Sequence, residues 1–499
     1  MNGKSIIVIG AGIGGLSTGC YAQMNGYRTR VLEMHDVPGG VCTSWERSGY
    51  TFDACIHNLA GTSPSSAFHR IWRELGVVPA TSMYVYPEQV QVERADGEPL
   101  TLYTDLNRLE AHLKHLAPAD TKTIEEFIGA ARRFEAFDML GLAAASPMTR
   151  LKAVLQIPLL LKYGRLTLAD YAKRFTDPFL RRAFPTLVYD WPAQSMMVLL
   201  AFLAGLNKGD LGWPAGGSKA FARTIERRLL GLGGEIQYRT RVQSIIVEGN
   251  RAVGVRLADG TEQRADIVVS NANGYATIFD MLGGRYTSRA IRAYYDAPED
   301  RCEMGIHVSL GVASDLSHEP HAIVLPLEAP VMIANEMRER LYVEPFGFDA
   351  SLAPPGKSPL KVVFATSYKY WQELSRDPGR YAAEEQKIAD TVIGLLEKRF
   401  PGLRGKIEAI DVATPMTTLR FTGNGHGYRG TMGTMAMALL TGRRLSQTLP
   451  GLDNFYMVGQ WAGVGGVSPV AAMGRDVVRD ICRRDGRRFQ TSETAPAGT

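Results

Sequence analysis

A β-branched run that leads straight into closely spaced glycines is the feature that most constrains this chain. Residues 5–9 read SIIVI, which predicts a buried parallel strand, and GAGIGG follows at residues 10–15. The pattern then predicts a helix over 14–25 and a second strand over 29–32, which Glu33 closes. A strand, glycine turn, helix and acid-terminated strand within about 30 residues are typical of a dinucleotide-binding βαβ unit. The N-terminal part is therefore expected to be α/β, with a parallel sheet.

Each residue type in this motif has a physical role toward a dinucleotide. Gly10 permits the tight turn, Gly12 lets the backbone approach a pyrophosphate, and Gly15 lets the helix pack closely on the strand. Glu33 is placed to accept hydrogen bonds from ribose hydroxyls and would repel a 2′-phosphate, which argues against NADP. With the glycine pair that follows Pro38, the residues predicted to contact the cofactor here are Gly10, Gly12, Ile13, Gly14, Gly15, Glu33, Gly39 and Gly40.

Composition excludes several other classes of protein. With 45% apolar and 21% charged residues among 499, the chain is expected to be globular. Its net charge of +5 is too small to indicate a nucleic-acid partner. Five cysteines without a CxxC or a cysteine/histidine spacing predict neither a metal site nor a disulfide framework. No secretory signal and no spanning apolar run is visible, so a cytoplasmic location is expected.

Several stretches along the chain carry a more specific pattern. They read IIVIGAGIGGLSTGCYAQMNGYRTRVLEMHDVPGG, GYTFDACIHNLAG, WPAGGSKAFARTIERRLLGLGGEIQYRTRVQSIIVEGNRAVGVRLADGTEQRADIVVSNAN, ATPMTTLRFTGNGHG and NFYMVGQWAGVGGVSPVAAMGRDVV. As a set they resemble the flavoprotein family of phytoene desaturases, carotenoid isomerases and retinol saturases. The resemblance implies an α/β chain with FAD as cofactor, built as a Rossmann-type (GR2-like) FAD-binding domain with an interleaved substrate domain of mixed sheet plus helices.

The positions of these stretches predict a discontinuous domain organisation. The FAD-binding domain is expected to comprise residues 1–85, 215–294 and 406–486. The substrate or lid domain is expected to comprise residues 86–214 and 295–405, and residues 487–499 read as a disordered tail.

The resemblance also implies cofactor contacts outside the N-terminal motif. Val242, in a predicted strand, is expected to meet the adenine through its backbone. In the C-terminal motif, Ser468 and Pro469 predict an N-cap and first turn for a helix over 470–482, whose N-terminus would face the flavin. The residues expected at the flavin are Gly459, Gln460, Gly466, Val467 and Ser468.

Two apolar segments point to a hydrophobic substrate. Residues 196–206 (MMVLLAFLAGL) are apolar on all faces, which indicates either a buried core helix or a tunnel wall, and we predict Leu200, Phe202 and Trp461 in the substrate pocket. Residues 147–161 are apolar between Arg150 and Lys152 on one side and Lys162 and Arg165 on the other. This pattern fits an interfacial helix on a membrane surface as well as a buried one.

Catalytic residues are less well marked than the cofactor site. His57, after the TFD motif, and Arg420, in TTLRFTGNGHG, are the candidates, and Arg301, Glu303 and His307 form a further polar cluster. The sequence has no nucleophile elbow, no P-loop and no HExxH. Spacing alone therefore makes none of these residues a general base.

The sequence predicts an FAD-dependent oxidoreductase that moves hydride between a hydrophobic polyene or isoprenoid lipid and flavin N5. Desaturation is the first expectation, and saturation or cis–trans isomerisation of the same kind of chain is the alternative. A flavin amine oxidase is disfavoured, because Lys406 is the single lysine in residues 406–499. A redox-silent lipid escort is disfavoured by the intact glycine motif. With one dinucleotide motif present, quinone or oxygen is the expected electron acceptor.

Overall fold

The computed structural model describes residues 3–135, 157–296, 301–424, 446–463 and 465–492. Its first layer is a parallel sheet built around the apolar N-terminal strand. The strands lie in the order Glu235–Gln237, Arg28–Leu32, Ser5–Ile9, Ile267–Ser270 and Phe455–Met457. The predicted βαβ unit is therefore present, and segments from the middle and the end of the chain complete its sheet.

Three helices cover this sheet and belong to its hydrophobic core. They are Ile13–Met24, Gly217–Gly231 and Val467–Arg484. The helix Ile13–Met24 packs against both of the others. Its Gly19 is next to Leu229, and its backbone around Gly14 approaches Gly474. Small residues at these crossings allow the three helices to pack closely.

A seven-stranded sheet forms the second layer. Its order is Ile407–Ala413, Arg301–Val312, Ser358–Ser367, Glu336–Pro345, Ile323–Ile333, Glu88–Val92 and Leu100–Tyr103. The strand Ile407–Ala413 pairs with Arg301–Val312 in six residue pairs, from His307–Ala413 to Val312–Ile407, with one bulge. It is an edge strand of this sheet and lies in the segment 406–486.

The remaining elements connect and cover these two layers. The helices are Ala67–Glu74, Leu106–Leu116, Thr121–Glu135, Ile157–Gly164, Leu168–Ala172, Pro178–Ala183, Met196–Asn207, Arg289–Tyr295, Tyr368–Leu374, Pro378–Arg399 and Pro415–Thr422. The smaller strands are Ser44–Arg47, Tyr50–Asp53, Leu59–Ala60, Met83–Tyr84, Leu211–Pro214, Val242–Glu248, Arg251–Leu257 and Glu262–Arg264. Across the described ranges, none of the helices has both the length and the apolar character to cross a bilayer.

The helix Met196–Asn207 explains the apolar run that the sequence shows. It packs against Thr121–Glu135 and Ile157–Gly164 in one hydrophobic core. Ser195 caps its N-terminus, accepting from the backbone N–H of Met197. The helix is both a core helix and part of a cavity wall, because one of its sides faces the hydrophobic core and another faces a cavity.

Candidate active site

Two helix N-termini open onto one cavity between the layers. Gly12 precedes the helix Ile13–Met24, Gly466 precedes Val467–Arg484, and neither glycine offers a side chain to cap the first turn. The first N–H groups of both helices, together with the helix dipoles, are therefore available to an anion. Gly12, Ile13, Gly466 and Val467 all line the cavity.

The carboxylate of Glu33 is held rigidly at the end of the second strand. One of its oxygens accepts from the N–H of Ala11 at 2.7 Å, and the other accepts from the N–H of His35 at 2.9 Å. The side chain is buried yet lines the cavity. Its two backbone donors leave further lone pairs, which suit the hydroxyls of a ribose.

The glycines around this point line the cavity with bare backbone and pack against Asn271. A Cβ on Gly12 would lie 2.6 Å from Nδ2 of Asn271, and one on Gly459 would lie 3.0 Å from Oδ1 of the same residue. Gly10, Gly39 and Gly459 have φ values of +93°, +114° and +96°, a conformation that favours glycine. The residues present therefore fit an extended dinucleotide such as FAD. Asn271, which ends the strand Ile267–Ser270, was not predicted from the sequence.

One cavity of about 1,490 Å³ collects almost all the predicted cofactor residues. Those that line it are Gly10, Gly12, Ile13, Glu33, Gly39, Gly40, Val242, Gly459, Gln460, Gly466, Val467 and Ser468. Gly14 and Gly15 lie behind the lining: Gly15 faces the carbonyl of Gly10, and Gly14 faces Asn271 and Val470. The cavity exceeds the several hundred Å³ of an ordinary ligand pocket, so it has space for a second molecule beside a cofactor.

Ser468 does not cap its helix as predicted. The helix begins at Val467, so Ser468 lies inside the first turn and Gly466 occupies the N-cap position. The hydroxyl of Ser468 instead donates to the carbonyl of Ala60 at 2.8 Å. Gly466 enters the helix with φ +108°, a backbone conformation that glycine adopts readily and serine does not.

One part of the cavity wall is apolar and aromatic. It is lined by Val188, Tyr189, Trp191, Val198, Phe202 and Leu211. Phe202 packs with Leu206, Leu211 and Tyr189, and Trp461 also lines the cavity. Leu200, predicted in the same pocket, points the other way into the core with the helix Thr121–Glu135 and does not line the cavity. The helical repeat separates the two residues, because positions two apart lie on different faces.

His57 lies in the cavity wall, at one end of a row of buried ionisable side chains. Its Nδ1 is 3.0 Å from the carbonyl oxygen of Cys55, and its Nε2 is 2.9 Å from Oε1 of Glu344. The other Glu344 oxygen is 3.0 Å from Nζ of Lys361, which also donates to the carbonyl of Asp53 at 3.0 Å. Both ring nitrogens of His57 therefore lie beside oxygen atoms, one of the backbone and one of a buried carboxyl group.

The electrostatics of His57, Glu344 and Lys361 differ from those of surface ion pairs. Glu344 and Lys361 are each only 3% exposed. Burial opposes ionisation of Glu344, but the charges of His57 and Lys361 outweigh it and hold the pKa of the carboxyl below its usual range. Burial lowers the pKa of the neighbouring His307 to about 3, so that imidazole is neutral. Buried ionisable groups with strongly shifted pKa values beside a cavity are typical of functional sites.

Glu344 and Lys361 were missed in the sequence, although each leaves a trace there. Both lie in apolar stretches of their strands, within LYVEPF and PLKVVF. Charged residues are rarely fully buried unless they are paired, so a charge inside such a strand suggests a buried partner. Which partner it meets depends on how the strands pair, and here Glu344 is opposite Lys361 in the sheet.

Asp53 and Ser218 join two of the motifs that were recognised separately. One carboxylate oxygen of Asp53 accepts from the Ser218 hydroxyl at 2.8 Å, and the other accepts from the Ser218 N–H at 2.6 Å. This contact ties the strand Tyr50–Asp53 to the start of the helix Gly217–Gly231. It thereby fixes the loop that carries Cys55 and His57.

Arg420 and His57 line the same cavity at different depths. Arg420 is exposed, with its guanidinium 4.6 Å from the centre of the Phe421 ring, whereas His57 is buried. His307 lines the cavity as well. Of the polar cluster predicted with His307, the side chains of Arg301 and Glu303 lie outside the described part of the chain, as do Arg150 and Lys152 of the predicted interfacial helix.

Comparison with known proteins identifies the relatives of this chain. Residues 8–75 match the family model of the NAD(P)-binding Rossmann-like domain. Prolycopene isomerase from Daucus carota is 29% identical over 497 residues, covering 94% of this chain and 78% of that protein. A neurosporene-forming phytoene desaturase from Rhodobacter capsulatus is 29% identical over 444 residues, covering 82% of this chain and 81% of that protein. The chain is a homologue of the prolycopene isomerases and phytoene desaturases.

The fold agrees with this relationship. An oxidoreductase from Methanosarcina mazei superimposes with a TM-score of 0.60 at 18% identity, covering 95% of this chain and all of that protein. The predicted family resemblance and α/β fold class are therefore confirmed. So are the predicted enzyme class, an FAD-dependent oxidoreductase, and FAD as its cofactor.

Proposed function

We propose that this homologue of the desaturases and isomerases transfers hydride between FAD and a hydrophobic polyene or isoprenoid lipid. The observation that carries the proposal is the cavity itself. Part of its wall is formed by the glycine loops and Glu33, and another part by Val198, Phe202 and Leu211. A long apolar chain offers almost no hydrogen bonds, so its recognition must come from apolar contact, at roughly 25 cal/mol per Å² buried.

Desaturation is the first reaction that we propose, in line with the phytoene desaturases among the relatives. Isomerisation, or saturation, of the same kind of chain is the second candidate. One observation favours isomerisation: the prolycopene isomerases align over 94% of this chain, and the desaturases over 82% or 83%. The two reactions place the same demands on the cavity, which must exclude water and hold several carbons of the chain beside the cofactor.

The chain's own residues have separable roles in this proposal. FAD supplies the hydride acceptor or donor when it is bound. The N-termini of the helices that begin at Ile13 and Val467 would stabilise its negatively charged parts, and Glu33 would bind the ribose. His57, positioned beside Glu344, would present its ring at the cavity wall. A preorganised polar group of this kind stabilises charge that develops during reaction.

We also propose quinone or oxygen as the electron acceptor of a net desaturation, and peripheral contact with a membrane. The helix Ile157–Gly164, which is the described end of the predicted interfacial segment, supports contact with a membrane. There Leu161 is 42% exposed next to Lys162, while Tyr163 is buried. An exposed apolar residue beside a cation suits a lipid headgroup region.

The test is anaerobic incubation of the FAD-loaded protein with polyene lipids in detergent, followed by mass and isomer analysis. A desaturase bleaches the flavin absorbance and forms a product two hydrogens lighter. An isomerase changes the double-bond geometry at constant mass. A panel of amines serves as the control for the amine-oxidase alternative. Flavin reduction by amines, with no response to any lipid, would overturn the proposal.

A further inference from the structure

Cys42 and Cys55 face each other across a hairpin in the wall of the cavity. The strands Ser44–Arg47 and Tyr50–Asp53 are antiparallel, with Ser44 opposite Asp53. One position further along, the N–H of Ala54 donates to the carbonyl of Thr43 at 3.2 Å. The next position brings Cys42 opposite Cys55.

Cys42 and Cys55 lie in bends just beyond the two strands, and extending the register to them gives a non-hydrogen-bonded cross-strand pair. Hydrogen-bonded and non-hydrogen-bonded pairs alternate along an antiparallel ladder, and the Thr43–Ala54 pair is the hydrogen-bonded one. In the non-hydrogen-bonded pairs the Cα atoms are about 4.5 Å apart. A disulfide requires a Cα separation of roughly 4.4–6.8 Å, so the two cysteines are placed to form one.

The two thiols are in contact but have different surroundings. Cys42 is buried, with its Sγ 3.8 Å from the carbonyl of Ser218, whereas Cys55 is half-buried. A hydrogen bond to Cys55, and then burial, raise the pKa of the Cys42 thiol well above its usual value. The Cys42 thiol therefore stays protonated. Both residues line the cavity.

We propose that Cys42 and Cys55 form a reversible dithiol–disulfide site that reacts with a small disulfide entering the cavity. The Cys55 thiolate attacks one sulfur of the small disulfide, and the first small thiolate leaves. Cys42 then loses its proton and attacks the Cys55 sulfur, which releases the second small thiolate. The protein loses two protons and two electrons, and the small disulfide is reduced to two thiols.

The other three cysteines provide internal controls. Cys20, Cys302 and Cys482 are buried, and burial raises the pKa of Cys20 to about 12. None of them lines the cavity. Thiolate character and access decide which cysteines react, so these three are expected to stay reduced in the folded protein.

The experiment treats the FAD-loaded protein with 2-hydroxyethyl disulfide, alkylates the free thiols in denaturant and maps the peptides by mass. We expect one linked peptide pair, Cys42 with Cys55, three alkylated cysteines, and reversal by dithiothreitol. Cys42→Ser should instead trap a stable mixed disulfide on Cys55, because no resolving thiol remains. Cys55→Ser should give no oxidised product, and Cys20→Ser should behave as the wild type.

Five alkylated cysteines in the treated wild type would overturn the proposal, as would a linkage that involves any other cysteine. A wild type that itself stops at the mixed disulfide would also overturn it, since Cys42 would then be out of reach. The wild-type mapping decides the question even if a serine variant does not fold. This readout contains no lipid, so its failure is distinct from failure of the proposed hydride transfer.

Discussion

At the scale of single residues, Glu33 is the sharpest determinant of cofactor binding. Its two oxygens are held by the N–H groups of Ala11 and His35, so the carboxylate is fixed before any ligand arrives. We expect Glu33→Arg to weaken FAD binding at least tenfold, about 1.4 kcal/mol, because a cation replaces an acceptor beside the ribose. Fluorescence titration of the flavin-depleted protein measures this.

Glu235→Arg is the matched control for that change. Glu235 lies on the neighbouring strand, is 61% exposed and pairs with Arg30. Exposed ion pairs contribute little, so this variant should bind FAD as the wild type does. Equal FAD affinity of Glu33→Arg and the wild type would mean that the glycine motif has been wrongly assigned.

A second residue, His321, should make stability depend on pH. It is stacked on Tyr86, with ring centres 3.7 Å apart, and burial lowers its pKa to about 3. The remaining charges that influence it are Glu344, which raises the pKa, and His57, which lowers it. In the unfolded chain a histidine titrates near 6.5. Between these two values the unfolded state therefore binds the extra proton, and stability falls as the pH falls.

The expected slope is up to about 1.4 kcal/mol per pH unit below pH 6.5 from this one histidine. Urea unfolding of the FAD-loaded protein at pH 7.5 and 5.5 measures it. His321→Gln should lose stability at pH 7.5 but show a shallower dependence on pH. An unchanged slope in this variant would show that other groups control the pH response.

At the scale of elements, the contact between the helices Ile13–Met24 and Val467–Arg484 sets the cofactor site. Both helices begin at the cavity, and Gly474 of the second helix packs closely against the first. A Cβ on Gly474 would lie 2.8 Å from the Gly14 carbonyl oxygen and 2.8 Å from the Thr18 nitrogen. The distance between the two N-termini therefore depends on this glycine.

We expect Gly474→Ala to separate the helices, to destabilise the protein by about 1–3 kcal/mol and to weaken FAD binding. The control is Gly394→Ala, in the helix Pro378–Arg399, where a Cβ would meet nothing within 4 Å. That change should stabilise by about 0.5–1 kcal/mol, because alanine favours a helix interior more than glycine does. Thermal denaturation and FAD titration of both variants test the pair. Similar behaviour of the two would show that the helix crossing tolerates a methyl group.

At the scale of the whole molecule, the two sheets and the apolar helices meet at one cavity. FAD binding should therefore stabilise the entire fold, by about 2.7 kcal/mol when free FAD is at 100 times its dissociation constant. The apolar part of the wall should be dispensable for this effect. We expect Phe202→Asp to abolish lipid turnover while the melting temperature still rises with added FAD, because Phe202 packs with Leu206 and Leu211 and is not among the residues predicted to contact the cofactor.

Phe202→Leu is the control for this change, since it keeps an apolar side chain against Leu206 and Leu211. It should retain most of the turnover. Comparable lipid turnover in the Asp and Leu variants would place the substrate elsewhere than along this wall. If the melting temperature of Phe202→Asp alone did not rise with added FAD, the apolar wall and the cofactor site would not be independent.

The N-terminal unit was predictable from sequence because all its determinants are local. The strand, the glycines, the helix and Glu33 follow one another within residues 5–33, and the structure has them within a residue or two of their predicted bounds. The later motifs were predictable for the same reason, since each is a continuous stretch. The start of the C-terminal helix differed from the prediction. Ser468 and Pro469 favour an N-cap and first turn there, but in the structure Gly466 occupies the N-cap and the helix begins at Val467.

Only the tertiary structure decided how these stretches combine. The buried charged cluster of His57, Glu344 and Lys361 is drawn from a loop and two separate strands, and no local sequence pattern links these residues. Phe202 and Leu200 belong to one apolar run, yet only Phe202 faces the cavity, because the environment of each helix face is set by the elements packed against it. The sequence thus determined by itself the dinucleotide motif, the α/β class and the apolar character of the substrate side. Long-range strand pairing and helix packing determined which charges are buried together and which side chains a substrate can reach.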